Sequence, residues 1–175
     1  SCSFDYRDEA LSGEPSPEMV MINAEASRYE NAEKSVFFSA AVLEVYDSDR
    51  VWAAESVQFV EYSDDGTGTV EIEGGAGILL IDEKDEVYSL GEQTSFFVRE
   101  DGIRMNASDL QWAKKRHCLY SADSGIVEII KDDGSTIRGT GFFADTLSRS
   151  YLFKRDFSGV IVTTFSDDEP GEDSQ

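Results

Sequence analysis

One histidine occurs in the chain, and it stands beside a cysteine at His117-Cys118. A thiol and an imidazole could serve as nucleophile and base, but neighbours on an extended strand point to opposite faces, so this pair is not placed to share a proton. With 36 acidic residues, paired carboxylates occur by necessity and say nothing about sugar hydrolysis. Asp64-Asp65 and Asp132-Asp133 could hold calcium only weakly, and each precedes a glycine in a stretch that reads as a turn. His and Cys also lack the spacing of a zinc site. No catalytic residue, metal or cofactor is expected.

The 36 acidic residues face only 15 basic ones, a net charge of −21. Such a surface repels polyphosphate and excludes nucleic acid as a partner. Hydrophobic residues make up 40% of the 175 and aromatics 11%, enough for one domain with its own core. No apolar run approaches the roughly 18 residues that a membrane-spanning helix needs.

Cys2 differs in kind from Cys118. Ser1-Cys2-Ser3 leads into an acidic stretch with Pro and Gly, Asp5 to Pro17, and no regular apolar pattern. A mature bacterial lipoprotein begins this way, with acyl chains on the cysteine. At roughly 0.8 kcal/mol per buried CH₂, several chains make a firm anchor. Residues 1–17 therefore read as a tether, 18–165 as the folded domain and 166–175 as an acidic solvated tail.

The elements that must position any site are strands. Val, Ile, Phe and Tyr recur with period two, separated by turns such as Tyr46 to Arg50, Ser63 to Gly66, Asp82 to Asp85, Arg99 to Gly102, Ser121 to Gly125 and Lys131 to Gly134. Turns at this density predict an all-β domain of roughly a dozen antiparallel strands.

Alternation points inward Ile22, Phe38, Val42, Trp52, Val70 and Ile72 in the first half, with Val20 beside them. In the second half it selects Phe96, Val98, Ile103, Met105, Val127, Ile129, Ile137, Phe143 and Phe153. Four segments share a pattern of an aliphatic residue, a polar one and then Ala or Gly: Ile22-Asn23-Ala24, Ile72-Glu73-Gly74, Met105-Asn106-Ala107 and Ile137-Arg138-Gly139. The small residue lies on the face of the aliphatic. It either leaves a hollow or marks a bulge.

Further along, Leu110-Gln111-Trp112, Cys118 to Asp123, Val127-Glu128-Ile129 and Asp133-Gly134-Ser135-Thr136-Ile137-Arg138-Gly139-Thr140-Gly141-Phe142 follow one another. Together with Ala144-Asp145 and Phe157-Ser158-Gly159-Val160, this order resembles the LptC family of lipopolysaccharide export. The likeness runs over about residues 18–163, more loosely in the upstream half. It implies a single twisted, open β-jellyroll, LptC- or LptA-like, with an apolar groove between two sheets. The fifteen residues from Ile22 to Phe153 that alternation selects would line that groove.

The resemblance further implies a periplasmic protein that takes lipopolysaccharide or a related glycolipid from an inner-membrane ABC transporter of the LptB-LptF-LptG kind. It would pass the lipid to an LptA-like partner through an edge strand around Phe153, Val160 and Val162. Many members are held by an N-terminal helix, whereas this chain offers Cys2 for anchorage to the inner membrane. A rival reading is a carbohydrate-binding or adhesive jellyroll, whose exposed Trp52, Trp112 and Tyr151 would stack on sugars.

Overall fold

The computed structural model describes residues 16–46, 50–63, 65–148 and 150–163. Cys2, the tether up to residue 15 and the acidic tail lie outside the described residues. All ten strands join one antiparallel sheet: β1 (Met19–Glu30), β2 (Glu33–Tyr46), β3 (Val51–Tyr62), β4 (Val70–Asp82), β5 (Val87–Val98), β6 (Ile103–Ala113), β7 (Cys118–Tyr120), β8 (Ile126–Lys131), β9 (Thr136–Asp145) and β10 (Ser150–Val160). The fold is the expected open β-jellyroll, built as a meander.

Two details differ from expectation. Among the described residues the strands number ten where roughly a dozen are expected, because β2 runs 14 residues and β4 13, against about five or six for an ordinary strand. There is also one continuous sheet instead of two. Long strands reach across both layers, so the layers arise by folding the sheet on itself.

The fold line can be read from the backbone. Asn23 in β1, Ser56 in β3, Glu92 and Gln93 in β5, Gly141 in β9 and Asp156 in β10 all adopt positive φ. Pairing lapses at the same level: β1 and β2 pair at Ile22 with Val42 and resume at Ala24 with Ala40, and β4 and β5 skip between Gly75 and Ile78. These irregularities form a seam across the sheet, each locally bending its strand.

At the seam β7 and β8 are two pieces of a single strand position, since both pair with β6 and β9. The bulge between them is tied down by side chains: Asp109 Oδ1 accepts the Ala122 N–H at 2.7 Å, Ser108 Oγ accepts that of Ile126 at 3.1 Å, and Ser121 Oγ accepts that of Phe142 at 3.0 Å.

The concave face carries two apolar clusters. Met105, Ala107, Leu110, Val127, Ile129 and Phe142 form one. Ala40, Leu43, Ala54, Val57 and Leu79 form the other, and Leu90 packs against both. At one end of the sheet the turns are linked through the backbone: Glu83 N–H donates to the Arg50 carbonyl, Lys114 N–H to Glu86 and Thr146 N–H to His117. β1 and β10 are the two free edges.

Candidate functional site

Residues paired directly across neighbouring strands share a face, so the register gives the site as rows. On one side of the seam Met21, Leu43, Ala54, Leu79, Leu90 and Leu110 are paired in succession. The next row outward on that side joins Val45, Trp52, Ile81, Tyr88, Trp112, Leu119, Ala144 and Tyr151. Beyond the seam a third row runs through Ala26, Phe38, Phe59, Gly74, Phe96, Met105, Ile129 and Ile137. All three are apolar from strand to strand.

These rows are unevenly covered. Leu110 and Val127 are fully buried and Phe142 is 1% exposed. Phe38, Phe59, Phe96, Trp52, Ile81 and Tyr88 are only half-buried, and Trp112 is exposed. Half-covered rings and aliphatics continuous with a sealed core make an apolar trough whose unsatisfied surface costs roughly 25 cal/mol for each Å² left in water. Tyr88 and Trp112 stack with ring centroids 5.1 Å apart.

The two glycines of that pattern do not leave a hollow. A Cβ on Gly74 would lie 2.8 Å from Phe59 Cζ and 2.6 Å from Phe96 Cβ, and one on Gly139 would lie 2.7 Å from Phe153 Cδ1. Each glycine is a seat for a neighbouring ring.

Of the residues that alternation points inward, Phe38, Phe96, Met105, Ile129 and Ile137 share the third row, and Ile72, Val98 and Ile103 form the row beside it. Val127 lies in the sealed cluster, Phe153 packs against it, and Trp52 belongs to the row by the turns. Val70 sits half-buried at the start of β4, opposite Tyr62.

Three face the other way. Ile22 is 66% exposed and Phe143 39%, and Val42 is paired with Ile22, while their neighbours Met21, Phe142 and Leu43 take the inner positions. The cause is the seam. At Asn23 and Gly141 the backbone turns through positive φ with the pairing register unchanged, and the faces exchange beyond it, so counting by twos through either residue lands on the wrong face. Val20, 51% exposed, is displaced in the same way. The selection by alternation omits Phe59, Ile81, Tyr88 and Leu90, although Tyr88 and Leu90 themselves alternate in Val87-Tyr88-Ser89-Leu90.

At the C-terminal edge Val160 closes β10 at 61% exposure. Val162 lies past the strand, and its N–H is held by Ser135 Oγ at 2.9 Å.

Cys118 is buried in β7, whereas His117 is exposed, adopts φ 50 and ends the 3-10 turn Lys114–Arg116. Among the described residues no group of three or more His, Cys, Asp and Glu could hold a metal. The acids instead shape turns. Backbone N–H groups of Ser148 and Leu147 hold the Asp145 carboxyl below its ordinary value, that of Ser135 does so for Asp133, and the Thr67 hydroxyl and N–H do so for Asp65.

Fold and face together define an open β-jellyroll with an apolar concave surface. Its architecture matches the crystal structure of LptH from Pseudomonas aeruginosa, described as the LptA-homologous periplasmic component of the lipopolysaccharide transport device. The match has a TM-score of 0.56 at 15% identity and covers 73% of this chain and 95% of that one. An uncharacterized protein of Treponema pallidum is 26% identical over 138 residues, 79% of this chain and 68% of that protein. No protein-family model matches the chain.

Proposed function

We propose that this protein is a periplasmic lipid carrier, an LptC-like member of the LptA and LptC jellyroll group, that moves lipopolysaccharide or a related glycolipid along its concave face. The observation that carries this reading is the trio of apolar rows, sealed at β6 to β9 and half-open over β2 to β5. Transport across water requires only that acyl chains stay covered, and burial on such a surface supplies the affinity. Likeness to LptH supports the reading through the fold.

In this account the chain performs no catalysis. An ABC transporter of the LptB-LptF-LptG kind supplies direction, since a binding module alone only equilibrates its cargo. Cys2 is the lipidated anchor at the inner membrane. The β10 edge near Phe153, Val160 and Val162 adds a strand to an LptA-like partner. Both free edges suit that role, with Val20 and Tyr29 exposed on β1 and Phe157 and Val160 on β10.

Trp112 at 37% and Tyr151 at 43% exposure also fit the sugar-binding alternative, but they share their row with Ile81, Leu119 and Ala144, which suits an alkyl chain better than a pyranose. Vesicle-to-vesicle transfer of a fluorescent acyl lipid tests the proposal. The protein should accelerate transfer, and Phe96→Asp should slow it at least several-fold. Unaltered transfer by Phe96→Asp, with binding of a labelled oligosaccharide, would favour the alternative.

A further inference from the structure

The trough has chemically unlike ends. At one of them a pocket of about 370 Å³ is lined by Trp52, Ile81 and Tyr88 together with Arg50, Lys114, Glu83 and Glu86. Its three apolar residues are consecutive members of the row by the turns, so the pocket is the mouth of the concave face. Here the linked turns bring together Arg50, Lys84, Lys114, Lys115 and Arg116, in a chain whose 15 basic residues are outnumbered by 36 acidic ones.

Not all these cations are free for a ligand. Lys115 Nζ donates to the Lys84 carbonyl at 2.7 Å, and the Arg116 guanidinium lies over the Tyr120 ring. Arg50 and Lys114 differ. Arg50 Nε is 4.0 Å from Glu83 Oε2, beyond hydrogen-bonding distance, and among the described residues Lys114 forms no ion pair. The turns at the opposite end carry Glu30, Glu33, Asp65, Glu100, Asp101, Asp132 and Asp133 against Arg28, Lys34, Arg99 and Lys131, and there Arg99 is bound to Glu73 at 2.9 Å. Among the described residues, the linked-turn end sets Arg50 and an unpaired Lys114 beside an apolar floor of Trp52, Ile81 and Tyr88.

We propose that this mouth is the head-group site of an anionic amphiphile, with Arg50 and Lys114 at the charged head and Trp52, Ile81 and Tyr88 under the first methylenes of its chain. This deepens the lipid-carrier reading and rests on it. The polarity follows from charge. A cargo with a negative head enters chain-first along the rows and leaves its head at the linked turns, because the other end would repel it. Glu83 and Glu86 keep the site weak enough to release what it holds, which a carrier requires.

Both tryptophans of the chain, Trp52 and Trp112, lie on the row of this mouth, so their fluorescence reads occupancy directly. The test titrates the full chain with a brominated monoacylglycerol phosphate and with the matching brominated monoacylglycerol, following quenching, with glycerol phosphate as a chain-free competitor. Wild type should favour the phosphate about tenfold, the scale of two charged contacts at a solvent-open rim. The ratio should fall toward one in Arg50→Gln/Lys114→Gln and survive in Lys114→Arg. In wild type alone it should shrink as salt rises toward about 1 M, where charges are screened beyond roughly 3 Å.

A preference that persists in the double variant or at high salt overturns the head-group site and leaves the carrier reading intact. Displacement by glycerol phosphate at the concentration at which the amphiphile binds makes this a free-anion site and overturns the proposal. Failure of both amphiphiles to quench wild type removes the carrier reading itself.

Discussion

The two clusters on the concave face are built on the same sheet from different side chains. In the β6 to β9 cluster Leu110, Val127 and Phe142 meet over one another and reach 0 to 1% exposure, and the ring of Phe153 closes over Gly139. In the β2 to β4 cluster two of the five buried positions are alanines, Ala40 and Ala54. They are too short to fill the space above the sheet, so Phe38, Trp52 and Tyr88 pack beside them and stay half-exposed. The difference divides one surface: the C-terminal strands seal their apolar face, and the N-terminal strands leave part of theirs uncovered, the area that the proposed lipid would take.

The largest test of that division compares two phenylalanines. Phe142→Ala should cost about 3–5 kcal/mol, as for a fully buried ring, read by urea unfolding. Phe38→Ala should cost about 1–2 kcal/mol, since its ring is only partly buried, yet lower acyl-lipid binding several-fold. Equal stability losses would erase the distinction.

A smaller effect is expected where the halves meet. Thr94 is 1% exposed, and among the described residues its Oγ1 has no hydrogen-bond partner. Thr94→Val should raise stability by about 1 kcal/mol by removing an unpaired buried hydroxyl. A loss of stability on thermal unfolding would show that the hydroxyl is satisfied in solution.

The smallest effect belongs to pH. Asp145 and Asp133 are held below the ordinary value of 3.8 by backbone N–H groups, and Asp123 by Lys154. A carboxylate with a lowered folded-state pKa stabilises the fold above its unfolded value and loses that contribution as pH falls through the folded value. The melting temperature should stay flat from neutral pH to about 5 and decline below about 4. Asp145→Asn should make that decline shallower, and an unchanged slope would remove Asp145 as a contributor.

Period-two patterning and Asp-Gly turns make the strand class, the turn positions and the buried side of Phe96, Val98, Ile103, Met105, Val127 and Ile129 legible in the sequence, but not that of Tyr88, Leu90 or Leu110. What it hides is the seam. Asn23, Asp156 and Gly141 belong to types that tolerate positive φ, so a break there is readable in principle, but Ser56, Glu92 and Gln93 adopt the same conformation without a local signal. Their geometry follows from folding one sheet onto itself, a tertiary demand. For the same reason Ile22, Val42 and Phe143 exchange faces with Met21, Leu43 and Phe142. The charged mouth is equally unreadable, because Arg50 and Trp52, Tyr88, and Lys114 come from three strand ends that only the register brings together.

Photo-crosslinking from single sites on the two sides of the sheet tests the central claim most directly. With a radiolabelled acyl glycolipid, a photoreactive side chain at Phe59 or Phe96, on the concave row, should give lipid adducts, and one at Ile22 or Phe143, on the opposite face, should give none. Adducts from the outer positions alone, or from neither face, would contradict a lipid path through the fold of the sheet.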